Sequence, residues 1–182
     1  SLAHPATFLR SQCAHLKNLA ERATLEDGTH VKVVGMIAEP AAAALNYLAE
    51  NGQTNREATT VLTYDLGGGT FDLAIVTAYP RGRKNDRGQL YYYDIEKTGG
   101  LPNLGGTEFD EVMFQLLKSK VPRGTVIAEA NLRPHAEGSK INLSKQEETG
   151  LEQITASGDP CFLSVTRQEF EQAAMPLVQK TI

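Results

Sequence analysis

Apolar and polar positions divide the chain into segments of helical and of strand-like period. Leu9, Cys13, Leu16 and Ala20 form a helical stripe. Arg10 to Leu25 is therefore predicted as an amphipathic helix ended by Asp27-Gly28, with Cys13 a small buried hydrophobe. Val31 to Ile37 reads as a short apolar strand. Glu39-Pro40 then opens a second helix through Ala41, Ala42, Ala43 and Ala44 to Ala49, since a first-turn proline lacks only an N–H that would be unpaired there anyway. The alanines give this helix a smooth face that expects a close partner. Asn51-Gly52 stops it, and Gln53 to Glu57 reads as a polar crossing between subdomains.

Three β-rich runs follow, Thr59 to Leu66, Thr70 to Tyr79 and Leu90 to Thr98, which predict an antiparallel meander. Period-two alternation puts Val61, Thr63 and Asp65 on one face of the first run and Leu62, Tyr64 and Leu66 on the other. In the third run Tyr91 and Tyr93 share a face opposite Tyr92 and read as packing residues, because no Arg or Lys interleaves them. Gly105-Gly106 precedes a helix carrying Phe109, Val112, Met113, Leu116 and Leu117, and a third helix is expected from Pro134 to Glu147. Ile154 to Val165 holds one strand or two. Thr166, with Glu169 three residues on, forms a capping box that starts a final helix.

With 182 residues, 41% of them hydrophobic, the chain can build one sizeable core or two small ones. A net charge of −4 argues against a general nucleic-acid binder. The basic cluster Arg81, Arg83, Lys84 and Arg87 lies in a stretch interrupted by Gly and Asp and reads as a solvated hairpin tip. Cys13 and Cys161 are far apart and form no Cys-x-x-Cys, which points to a reduced, cytoplasmic setting. His4, His15, His30 and His135 lack the i, i+4 pairing of a zinc site. The longest apolar stretch, Val31 to Leu45, is broken by Lys32, Glu39 and Pro40, so no membrane span is expected. The opening Ser1-Leu2-Ala3 has neither methionine nor signal pattern and reads as a piece of a longer protein. On that reading the alanine face of the second helix lacks its partner, and self-association or disorder near the N-terminal segment is expected.

Candidate chemistry concentrates in Tyr64-Asp65-Leu66-Gly67-Gly68-Gly69-Thr70-Phe71-Asp72. Three residues without side chains let backbone N–H groups approach an anion and adopt positive φ. Asp65 at the mouth of the turn would repel a bare phosphate, so it implies a hydrated Mg²⁺ between carboxylate and phosphate. The Thr70 hydroxyl can hold a phosphate oxygen or a water. A P-loop is excluded, because no Lys-Ser/Thr pair follows the glycines and the next residues read as strand. The competing reading is a hairpin whose glycines serve only the turn, with Asp65 capping it. Glu39 stands where an apolar strand exits into a helix, the place where α/β sheets commonly hold ligands. Either it complements the helix dipole alone, or it joins Asp65 in holding metal-bound waters.

Ile37-Ala38-Glu39-Pro40-Ala41-Ala42-Ala43-Ala44, then Asp65 through Asp72, then Leu104-Gly105-Gly106-Thr107-Glu108-Phe109-Asp110, resemble in order and spacing the seventy-kilodalton heat-shock chaperones, the DnaK-like family. Pro5-Ala6-Thr7-Phe8, Glu137 with Lys140 and Leu143-Ser144, and Val165-Thr166-Arg167 resemble further segments of it, so the likeness spans essentially the whole chain. It implies an α/β, actin-like (ribonuclease-H-like) ATPase fold present in part: the end of lobe I over 1–54, a lobe IIA meander over 55–104 and a lobe IIB-like subdomain over 105–182. It implies an ATP/ADP site in which Asp65 and Glu39 carry the Mg²⁺ shell and water. Gly67, Gly68, Gly69 and Thr70 would hold phosphate oxygens. Gly106 would lie near the ribose, with Glu137, Lys140 and Ser144 on the adenosine. The implied activity is ATP hydrolysis that controls binding of unfolded polypeptides, with co-chaperones as partners and neither nucleic acid nor membrane.

Several positions depart from the family pattern. Its first phosphate loop, its catalytic lysine and its last adenosine motif have no counterpart within the chain, so these residues alone are expected to bind ATP poorly. Cys13 stands where the family has an Arg linked to signalling between its domains, and Gly35 replaces an Arg implicated in J-domain docking. Thr7 replaces an aromatic, and the stretch from Val121 to Glu137 is shorter. These departures put allosteric control and J-domain docking in question. They leave open a second reading, a non-hydrolysing regulator or scaffold of the same fold. A sugar kinase is a weaker third reading, since no sugar-site Asp-x-Gly signature stands out.

Overall fold

The computed structural model describes residues 1–51, 57–79 and 93–182, which fall into two units, Ser1–Asn103 and Leu104–Ile182. The basic cluster at 81–87, most of the expected crossing after Asn51, and Tyr91 and Tyr92 lie outside the described residues.

The first unit opens with a β-α-β element that the sequence only half disclosed. β1 (Leu2–His4) pairs in parallel with β2 (Met36–Ala38), with Leu2 opposite Met36 and His4 opposite Ala38, and α1 (Arg10–Glu21) crosses between them. A three-residue strand is too short to show a period, so β1 left no signal. Its length also explains why the strand expected over Val31 to Ile37 shrinks to Met36–Ala38, where backbone partners exist. α1 stops at Glu21 rather than Leu25, because Thr24 bridges to His30 around a turn closed by Gly28 N–H to Leu25 O at 2.9 Å. Gly28 sits at φ 84°, a conformation glycine takes without strain. The buried role expected for Cys13 is not found: it is half-exposed, and α1 buries none of its residues.

α2 (Glu39–Asn51) buries Pro40, Ala41, Ala44 and Leu48, and the last three, at helical spacing, cluster with Ala74 and Val76 of the neighbouring sheet. The smooth alanine face is therefore covered within the chain: Ala41 and Ala44 are 0% and 1% exposed. Self-association on that ground loses its basis.

The sheet is the expected meander, β3 (Thr59–Leu66), β4 (Phe71–Ala78) and β5 (Tyr93–Leu101), antiparallel in that order, with a register shift between Ile75 and Val76. Burial alternates on β3 as its period requires, with Val61 and Thr63 half-buried while Leu62, Tyr64 and Leu66 are exposed. β5 runs three residues beyond Thr98, because Gly99 and Gly100 continue the ladder opposite Leu73 and Asp72. At Gly100 φ is +157°, and a Cβ would lie 2.1 Å from the Phe71 carbonyl oxygen, so only glycine lets the two backbones come this close.

The second unit packs α3 (Gly106–Ser119), α4 (Glu129–Leu132), α5 (Ala136–Leu143) and α6 (Arg167–Val178) around the hairpin of β6 (Glu148–Ile154) and β7 (Pro160–Thr166). Its core joins Met113, Phe114 and Leu117 of α3 to Leu132, Leu143, Leu163 and Val165. The helix expected over Pro134 to Glu147 is shorter, because Pro134 sits in a single 3-10 turn, Arg133–His135, and the chain leaves α5 at Leu143 to enter β6. The Thr166 capping box forms as read: Thr166 Oγ1 accepts from Glu169 N–H at 3.2 Å, and Thr166 N–H donates to Glu169 Oε2 at 2.9 Å. Lys120, at the end of α3, also donates to Glu169, and these two interactions hold its carboxyl down at a pKa of about 2. Among the described residues no helix is long and apolar enough to cross a membrane.

Candidate functional site

In the first unit the polar chemistry gathers where β3 turns into β4. Leu66 pairs with Phe71, and Gly67 N–H donates to Thr70 O at 2.9 Å, so Gly67–Thr70 form a closed four-residue turn. None of Gly67, Gly68 and Gly69 takes positive φ, contrary to the expectation that the turn needs it. Their use lies in clearance instead, since a Cβ at Gly68 or Gly69 would have nothing within 4 Å. An anion can therefore approach the backbone on this side without meeting a side chain. Thr70 is half-buried at the end of the turn.

Asp65 is exposed and stands directly opposite Asp72 in the ladder. Asp72 was not among the residues expected to act. It is 2% exposed, and its Oδ1 has no hydrogen-bond partner among the described residues. A buried carboxylate oxygen without a partner is costly, and like charges directly opposite on a ladder repel. A hydrated divalent cation, which takes oxygen ligands and keeps several waters, fits this pair. Two carboxylates suffice for such an ion; no group of three or more metal-ligating side chains occurs among the described residues. The signal for Asp72 was in the spacing: Asp65 and Asp72 lie symmetrically about a four-residue turn, and cross-strand partners share a face.

Glu39 follows β2 directly as the first residue of α2, exposed in the first turn, where a carboxylate complements the helix dipole. α2 packs on β3 and β4, so the helix that Glu39 opens lies against the sheet that carries Asp65.

In the second unit, Gly106 opens α3 behind Gly105, whose N–H donates to Glu108 Oε2 at 2.8 Å. Lys140 on α5 reaches the Gly106 carbonyl at 3.3 Å and pairs with Asp110 Oδ1 at 2.6 Å. Gly106, Asp110 and Lys140 thus form one group, and Asp110 is a member that sequence reasoning passed over. Lys140 and Ser144, one turn apart on one helix face, line a hollow of about 340 Å³ with Leu143, Arg167, Phe170 and Glu171. Glu137 does not line it. It borders a separate hollow of about 500 Å³ beside Glu111, Phe114 and Arg133. There Arg133 lies 4.0 Å above the Phe114 ring, and its hydrogen bond to Glu111 holds that carboxyl below the usual range.

Comparison with known proteins gives matches along almost the whole chain. A family model described as Hsp70 protein matches residues 3–182. A chaperone protein HscA homolog of Vibrio atlanticus is 33% identical over 180 residues, covering 98% of this chain and 25% of that protein. A chaperone protein DnaK of Buchnera aphidicola subsp. Schizaphis graminum is 34% identical over 190 residues, covering 98% of this chain and 27% of that protein. The chain therefore spans about a quarter of the length of the curated relatives it matches.

Proposed function

Because this chain belongs to the Hsp70 protein family, we propose that it forms part of the actin-like ATPase region of a molecular chaperone, covering the end of lobe I and most of lobe II. ATP hydrolysis to ADP and phosphate would control the parent protein's hold on unfolded polypeptides and its exchange with co-chaperones. The observation that carries this reading is the open glycine turn flanked by two opposed carboxylates, one of them buried with an oxygen that has no partner among the described residues. Gly67, Gly68 and Gly69 would present backbone to phosphate oxygens, and the Thr70 hydroxyl would hold a phosphate oxygen or a water. Asp65 and Asp72 would hold a hydrated Mg²⁺, which when bound neutralises phosphate charge. Glu39 would orient a water for attack. Phosphoryl transfer needs positioning and charge stabilisation more than covalent participation, and this donor set would contribute to both. Gly106, Lys140 and Ser144 would contact the nucleoside, with Glu137 a more distant member of that group.

The test is calorimetric titration of the intact protein with ATP, with and without Mg²⁺, followed by single-turnover hydrolysis. Mg²⁺-dependent binding and release of phosphate are the expected results. Absence of ATP binding would overturn the reading.

A second reading, a non-hydrolysing regulator of the same fold, draws support from Gly35. A Cβ there would meet only Ser1 Oγ at 3.5 Å, so the backbone does not require glycine. The side chain that the family resemblance implies for docking is absent where a Cβ would fit. ATP binding without turnover would favour this reading.

A further inference from the structure

Arg167 is bound to the end of the helix that carries Lys140 and Ser144. As the first residue of α6 it sends Nε to the Leu143 carbonyl at 2.7 Å and Nη2 to the Gln146 carbonyl at 3.1 Å, while Nη1 pairs with Glu147 Oε1 at 2.8 Å. Its own backbone N–H donates to the Glu147 carbonyl at 2.8 Å. Leu143 is the last residue of α5 and Ser144 its C-cap, so the guanidinium takes up one carbonyl that the helix leaves without a partner, Leu143, and a second, Gln146, just beyond the cap. A cation there also suits the negative end of the helix dipole. Arg167 also lines the hollow that Lys140, Leu143 and Ser144 border, and Phe170 and Glu171, one turn further along α6, complete its wall.

We propose that Arg167 is a positioning residue of the nucleoside site: it fixes the end of α5 against the start of α6 and so sets where Lys140 and Ser144 stand around the hollow. The inference rests on the nucleotide-binding reading above. A planar fork with several donors can hold two carbonyls and a carboxylate at once. A lysine, with one compact ammonium, cannot reproduce that geometry. With the fork gone, the α5 end is free to shift by an ångström or so, enough to cost binding without unfolding the unit.

The experiment measures MgATP binding to the intact protein by calorimetry for wild type, Arg167→Ala, Arg167→Lys and Lys140→Ala, with thermal melts alongside. Arg167→Ala is expected to raise the dissociation constant on the order of tenfold while binding stoichiometry stays near one, with Arg167→Lys falling between it and wild type. A purely structural role would instead lower the stoichiometry, by reducing the folded fraction, and leave the dissociation constant unchanged; that result overturns the proposal. If Arg167→Ala does not fold, Arg167→Lys decides alone, and a wild-type dissociation constant overturns the proposal. Weakening by Lys140→Ala but not by Arg167→Ala rejects the role of Arg167 and spares the nucleoside site. No effect from Lys140→Ala rejects both.

Discussion

Asp65 and Asp72 face one another across the β3–β4 ladder, one carboxylate exposed and the other 2% exposed, with the glycine turn between them. Two negative charges at opposed positions destabilise a hairpin unless something positive joins them. The pair therefore ties the stability of this hairpin to its chemistry, and the two residues should respond differently to loss of charge.

Asp65→Asn keeps the shape of the turn and removes one charge from the proposed metal shell. In the intact protein, single-turnover hydrolysis of pre-bound ATP is expected to slow about a hundredfold or more, with ATP affinity changing much less. Equal rates would reduce Asp65 to a turn residue.

Asp72→Asn replaces a buried carboxylate, one oxygen of which has no partner among the described residues, with a neutral isostere. Without divalent cation the variant is expected to be more stable than wild type by about 1–3 kcal/mol, and to gain less from added Mg²⁺. Denaturant titrations with EDTA and with Mg²⁺ measure both. A variant that is less stable in EDTA would show that Asp72 is satisfied without an ion.

Gly100→Ala would place a Cβ 2.1 Å from the Phe71 carbonyl oxygen at a φ of +157°. The β4–β5 ladder must then move apart or strain, at a cost of about 1–3 kcal/mol or more. A drop in the urea midpoint without a change in slope is the expected signature. An unchanged midpoint would count against the close approach of the two strands.

The Glu169 carboxyl, held at about 2 against an ordinary value of 4.5, ties the second unit to pH. A folded-state pKa below the unfolded one contributes stability that is fully present above about pH 4.5 and is lost as pH falls towards 2. Glu169→Gln is expected to flatten the acid limb of the unfolding curve in that window, and acid titrations followed by circular dichroism would detect it. Unchanged acid sensitivity would mean that Lys120 and the Thr166 cap do not hold this carboxylate in solution.

The sequence by itself determined the elements whose cause is local. β3 was legible to the residue because alternation, glycine and turn chemistry all lie within it, and the Thr166–Glu169 box because both partners lie three residues apart. The family was legible for the same reason, since its motifs are contiguous runs. Tertiary structure decided whatever depends on a distant partner. β1 exists only because Met36–Ala38 lies beside it, and Cys13 is half-exposed because the described residues of the first unit cover its stripe only in part. The alanine face of α2 proved to be covered by Ala74 and Val76, residues far along the chain. Asp72 acquires its significance only when the hairpin closes and buries it opposite Asp65. Arg167 does so only when α6 folds back onto the end of α5. A side chain's chemistry is written in its identity, but burial and unmet hydrogen bonds are properties of its neighbours, and folding chooses those.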